Sequence, residues 1–162
     1  MTVVLDTSVV LNLCLLGRET LLSSLYERVL APPAVKDEFQ ALAASDPRFA
    51  GLRFPGFVNV VAPDESPRTL PSTAHLQSGE VAAILLAWQL RSDAVLMDER
   101  AGRIVASSLG LRPLGLLGVL LDGKRQGLVA AMAPLLDRLE KEAGFWIAPS
   151  LRSTVLTEAG ES

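Results

Sequence analysis

Val3-Val4-Leu5-Asp6-Thr7-Ser8, running straight into the apolar stretch Val9 to Leu16, decides the fold. Val3 to Leu5 read as the opening strand of a sheet, Asp6-Thr7-Ser8 supply capping oxygens, and Val9 to Leu16 read as a helix. Short apolar runs that alternate with stretches of helical period indicate helices covering a largely parallel sheet. The first strand ends at Asp6, which leaves that carboxylate at the edge where α/β sheets place ligands.

Outward from this unit the same alternation continues. A second helix is predicted over Glu19 to Glu27, then a strand at Val29-Leu30-Ala31, closed by Pro32-Pro33, which stop the ladder and start a helix carrying Glu38. Ser45 to Pro55 lacks a clean period and reads as a loop or irregular helix, Val58 to Val61 as a strand, and polar Pro63 to Thr73 as a mobile stretch. Ser78-Gly79-Glu80 open a strong helix, with Val81, Ile84, Leu85 and Trp88 at the spacing of one buried face. Ala94 to Met97 form the next strand, ending at Asp98. The following helix sets Ala101, Ile104, Val105 and Leu109 on one side before Gly110 stops it.

Arg112 to Leu114 read as the last central strand, and Leu116 to Glu142 as mostly helical, with a turn at Lys124-Arg125-Gln126-Gly127 and a kink or restart at Pro134. Phe145-Trp146-Ile147 suggest an edge strand, and a closing helix from Pro149 frays toward Glu158 to Ser162. The expected architecture is a three-layer α/β/α sandwich around a mainly parallel sheet. Residues 1–148 form the domain, with 149–162 a helix and tail packed on it.

A chain of 162 residues with 49% hydrophobic and 20% charged residues builds its own core and lies far from disordered composition. No apolar run reaches the 18 or so residues of a membrane span, and Met1 leads at once into a strand rather than a basic leader, so a cytoplasmic protein is expected. The lone Cys14 rules out an internal disulfide and a cysteine zinc cage. A net charge of −3 argues against a surface coated for nonspecific duplex binding, yet not against a nuclease, because metal ions can bring the positive charge.

Four acids from four segments are positioned to meet. Asp6 and Asp98 each follow a strand and emerge at the same sheet edge, Glu80 lies in the first turn of its helix, and Glu38 lies midway along another. At about 100° per residue, Glu38 falls roughly 70° from the stripe of Val35, Phe39 and Leu42, whereas Asp37 faces away. The same count leaves Glu80 roughly 90° from the predicted stripe, at the boundary of core and solvent. Two unit charges 4 Å apart repel by about 4 kcal/mol at an effective dielectric of 20, so converging carboxylates call for a counter-ion. Magnesium or manganese suits such all-oxygen donors and supports phosphodiester hydrolysis. Each acid also has a plainer reading: Asp6 as a helix cap, Glu80 as a favourable charge at a helix amino end.

Val3-Val4-Leu5-Asp6-Thr7-Ser8, Ser78-Gly79-Glu80 and Val95-Leu96-Met97-Asp98-Glu99 resemble, in order and spacing, the successive acidic motifs of PIN domains. Gly110-Leu111-Arg112-Pro113-Leu114-Gly115-Leu116-Leu117-Gly118-Val119-Leu120-Leu121 and Gly144-Phe145 are similar to a bacterial and archaeal branch of that family. The resemblance implies a ribonuclease using Mg2+ or Mn2+, with Asp6, Glu38, Glu80 and Asp98 as metal ligands and catalytic acids and Ser8 assisting through its hydroxyl or a bound water. Many relatives carry a second Asp after the last motif; here it is Glu99, a secondary candidate ligand. Arg100 and Arg103 are candidates to guide a phosphate, while His75, with no companion at ligand spacing, reads as a surface residue. The resemblance also implies an RNA substrate, a toxin role beside a small antitoxin protein, and a homodimer.

Two other readings compete. A dehalogenase-type phosphatase needs a second Asp two residues after the first, where Ser8 stands, and a receiver domain needs paired early acids and a late Lys that are not evident. A PIN fold that lost its chemistry and serves as a binding module is the stronger rival, with Glu99 as its first hint.

Overall fold

Val3, Val4 and Leu5 are wholly buried and make up most of β1 (Thr2–Leu5). The structure, a computed structural model, describes residues 1–64 and 76–161. β1 sits in the middle of a sheet with β2 (Arg28–Ala31), β3 (Asn59–Val60), β4 (Ala94–Leu96) and β5 (Pro113–Leu114), in the order β3-β2-β1-β4-β5. All four neighbouring pairs are parallel. Helices cover both faces, which is why β1 and β4 bury consecutive residues rather than alternate ones.

The order dictates where a ligand goes. From β1 the chain steps outward through β2 and β3, then crosses back to lay β4 on the other side of β1. The sheet therefore reverses direction between β1 and β4, and the crevice of an α/β fold opens beyond the carboxyl ends of such a pair. Leu5 is level with Leu96, and the Asp6 N–H donates to the Leu96 carbonyl at 2.9 Å, so the two strand ends are stitched at this point.

Eight α-helices among the described residues flank the sheet: α1 (Thr7–Leu15), α2 (Thr20–Leu25), α3 (Pro33–Ser45), α4 (Ser78–Gln89), α5 (Arg100–Ser108), α6 (Leu116–Arg125), α7 (Ala133–Glu142) and α8 (Pro149–Glu158). α4 packs between α3 and α5, while α6 packs with α1, α2 and α8. The result is the expected α/β/α sandwich. Val155 of α8 joins the core, and Glu161 behind it accepts hydrogen bonds from the Met132 and Ala133 N–H groups at the start of α7, at 2.6 and 3.1 Å.

Several local expectations are corrected. α4 buries Gly79, Glu80, Ala83, Ile84, Leu86 and Ala87, with Val81, Leu85 and Trp88 only half-buried. The helix is apolar almost all round, so its small residues, which permit close approach, decide which face turns inward. In α5, Gly102, Val105 and Ala106 face the core and Ile104 is 58% exposed, because Gly102 draws the helix against Met97. Phe145 to Ile147 form no strand, and Trp146 is 80% exposed. α2 ends at Leu25, and α1 begins at Thr7, two residues before the apolar run. The stretch expected to be mobile lies, from residue 65 onward, outside the described residues, as does His75.

Candidate metal and active site

Asp6 occupies the N-cap position of α1, yet its carboxylate makes no capping hydrogen bond and is 4% exposed. A cap whose carboxylate is not used for capping is free for other work. Burial pushes its pKa up to about 7; the Thr7 backbone N–H opposes this, and the carboxylates of Glu80, Glu38 and Asp98 push further upward, in that order. Asp6 thus lies within electrostatic reach of all three other acids, which come from α3, α4 and the end of β4.

Glu38 is half-buried on α3, while its neighbour Asp37 is exposed, as the helical count predicts. The Glu38 carboxylate lies over the first turn of α4: a β-carbon built on Gly79 would stand 2.8 Å from Glu38 Oε2 and 3.6 Å from Thr7 Oγ1. Glu80 is buried rather than at a boundary. Its Oε1 accepts weakly from the Gln77 N–H at 3.4 Å, part of a capping box, while Oε2 reaches toward α5 and lies 3.0 Å from the β-carbon position of Gly102. The plainer reading of Glu80 thus holds for one of its oxygens.

Asp98 follows Met97 beyond β4. Its Oδ1 accepts from the Leu116 N–H, at the amino end of α6, at 2.9 Å. Oδ2 is buried without a well-formed hydrogen bond among the described residues, with the Ser8 hydroxyl standing nearby. Burial raises the Asp98 pKa; the Leu116 N–H and the charge of Arg103 lower it, Glu99 raises it, and Ser8 lowers it. Arg103, half-buried, donates to the Met97 carbonyl at 3.2 Å. Glu99 and Arg100 are both exposed, Arg100 as the first residue of α5.

Among the described residues, no three His, Cys, Asp or Glu side chains stand close enough to share one ion as they are. The donor chemistry nevertheless fits a hard cation. Every candidate is an oxygen, a buried Asp98 oxygen lacks a full hydrogen bond, and Asp6 resists ionisation partly because of its acidic neighbours. Magnesium keeps several of its waters, which span the distance to carboxylates that do not touch it. The sequence did not single out Thr7, Gly102, Gly115 or the Leu116 N–H. The available signal was glycine inside helical pattern, which costs about 1 kcal/mol against alanine and so calls for a packing or functional reason.

A comparison with protein families matches residues 2–161 to the family described as PIN domain. The chain belongs to the PIN-domain family. No curated protein gives a significant match. PIN domains are generally nucleases, and this one has the nuclease-type fold over almost its whole length. Its switch-point crevice and its acidic motifs fall together, since Asp6 and Asp98 leave adjacent strands of the sheet. Among the described residues no helix of this PIN domain is long and apolar enough to cross a membrane.

Proposed function

We propose that this PIN domain is an endoribonuclease dependent on Mg2+ or Mn2+, cleaving single-stranded or structured RNA, with Asp6, Glu38, Glu80 and Asp98 as its acids. The observation that carries the reading is the setting of Asp6: a buried carboxyl at the sheet's switch point, held near pKa 7 by burial and by three acids from separate segments. Such mutual repulsion has no structural benefit and is relieved by a divalent cation. Asp6, Glu80 and Asp98 would hold the ion, with Ser8 beside Asp98 and Glu99 at the rim. The ion would supply Lewis acidity and activate water toward a phosphodiester. Glu38, half-buried on α3 with its carboxylate over the first turn of α4, would join Asp6, Glu80 and Asp98 as a ligand. Arg100, exposed at the start of α5, and Arg103, near Asp98, would meet a phosphate.

Family membership also supports the role of toxin in a two-gene pair, a small antitoxin protein as partner, a homodimer as the working form and the cytoplasm as its setting. Co-expression with the product of the adjacent gene, followed by sizing of the complex, tests these together. The rival reading, a PIN fold that binds without cutting, is favoured by the wide spacing of the acids. Stripping the protein with EDTA and returning Mn2+ in the presence of structured and single-stranded RNAs separates the two. A nuclease cuts only with metal, and Asp6→Asn abolishes the cutting. RNA binding without cleavage at any Mn2+ concentration establishes the rival.

A further inference from the structure

Three of the candidate carboxylates end over glycines, each on the segment next to their own. Glu38 Oε2 lies 2.8 Å from where a Gly79 β-carbon would be, Glu80 Oε2 lies 3.0 Å from that of Gly102, and Asp98 Oδ1 lies 3.0 Å from that of Gly115. Real β-carbons do not tolerate the first distance and rarely the other two. A chain of seats results: α3 places its acid on α4, α4 places its acid on α5, and the end of β4 places its acid at the start of α6.

None of the three glycines has the positive φ that would require glycine on backbone grounds. Gly79 and Gly102 stand in the first turns of α4 and α5, past the cap positions, where no turn calls for glycine. Something other than backbone conformation or helix stability calls for a hydrogen there. What a methyl would meet at Gly79 and Gly115 is the far end of a side chain: Glu38 at Gly79, Arg103 Nη1 and Asp98 at Gly115. Such groups can swing away, so the fold survives and the acids lose their places. At Gly102 the nearer clash is with Sδ of the wholly buried Met97, at 2.5 Å, which makes Gly102 a packing glycine first.

We propose that Gly79 and Gly115 are positioning residues that seat Glu38 and Asp98 at the proposed ion site, and that an added methyl unseats the acid without unfolding the chain. The proposal builds on the metal-dependent reading above.

The test uses the full chain as wild type, Gly79→Ala, Gly102→Ala and Gly115→Ala, with Gly118→Ala as control, since a β-carbon on Gly118 meets nothing within 4 Å. In EDTA, thermal melts and the 13C carboxyl signal of Glu38 are recorded; Mn2+ affinity is then read from its stabilisation of each protein. Gly79→Ala is expected to keep its metal-free melting temperature, to move the Glu38 signal, and to lose about 10- to 100-fold in Mn2+ affinity, as loss of support behind a ligand does. Gly115→Ala follows in Mn2+ affinity, Gly102→Ala, whose methyl meets Met97 first, lowers the metal-free melting temperature, and Gly118→Ala matches wild type. Wild-type Mn2+ affinity or an unmoved Glu38 signal in Gly79→Ala overturns the seating. Unfolding of Gly79→Ala in EDTA, with Gly118→Ala folded, overturns it too by making Gly79 a packing glycine. Failure of wild type itself to bind Mn2+ removes the metal-dependent reading, and the Glu38 signal still decides the seating.

Discussion

Asp6 shows how one residue can be both legible and incomplete in a sequence. Its place after an apolar strand announces a sheet edge, whereas its surroundings, Glu38 and Glu80 above all, come from parts of the chain 32 and 74 positions away by number. Burial and these neighbours lift its pKa from 3.8 to about 7, so the folded, metal-free chain holds a proton that the unfolded chain releases. By linkage, the stability of the metal-free protein falls as pH rises from about 4 to about 7 and levels off above that. Asp6→Asn shrinks this slope to the part contributed by Asp98, whose pKa burial also raises, and stabilises the metal-free protein at pH 8 by about 2 to 4 kcal/mol, at 1.36 kcal/mol per unit with allowance for relaxation. Urea melts in EDTA at several pH values check both; a wild-type slope retained in the variant would show that another group titrates. Cys14 needs less context: burial raises its thiol pKa to about 12, with Glu19 adding to the effect. It should resist alkylation at pH 8 in the folded chain and react promptly in denaturant, as thiol counting will show.

At the level of elements, the sequence signal was strongest where only one side of a segment is apolar. α3 met that condition, so the count that turned Asp37 outward and let Glu38 lean in agrees with their exposure. α4 did not: with apolar residues nearly all round, periodicity chose Val81 and Trp88, and the tighter fit of Ala83 and Ala87 turned the helix instead. That rotation brought Glu80 inside. Phe145 to Ile147 had strand-forming residues without a strand beside them to complete a ladder, and Gly144, at φ 66°, turns the chain just before. The corrected faces predict opposite outcomes for two isoleucines. Ile104→Lys should change stability by no more than about 0.5 kcal/mol, whereas Ile84→Ala should cost about 2 to 5 kcal/mol; equal costs in urea melts would refute the assignment. Glu161 caps α7 from beyond α8, and folding depresses its pKa, chiefly through the Met132 N–H. Its contribution is therefore present above the ordinary carboxyl range and lost in acid. Glu161→Gln should lower stability at pH 7 by about 1 kcal/mol, an effect that fades below pH 4 and leaves Mn2+ affinity alone.

For the molecule as a whole, alternating strands and helices were enough to indicate a parallel α/β sandwich, because two-sided burial writes continuous apolar runs into the strands. Strand order was not written there. It comes from the crossover that places β4 beside β1, and that placement turns two acids 92 positions apart by number into neighbours at one crevice. Individual motifs therefore pointed to Asp6 and Asp98, while the glycines beneath the acids stayed hidden, since a missing β-carbon has meaning only once its neighbour is known. The proposed site should be tightened by a cation. Mn2+ at 100 times its dissociation constant should stabilise the protein by about 2.7 kcal/mol, and Asp6→Asn should lose most of that gain. The most direct measurement is an anomalous difference map at the manganese edge from crystals soaked in MnCl2. One peak in the crevice between β1 and β4, reached by Asp6, Glu80 and Asp98, is the predicted result; a protein with no peak there, or with manganese only at surface acids elsewhere, would contradict it.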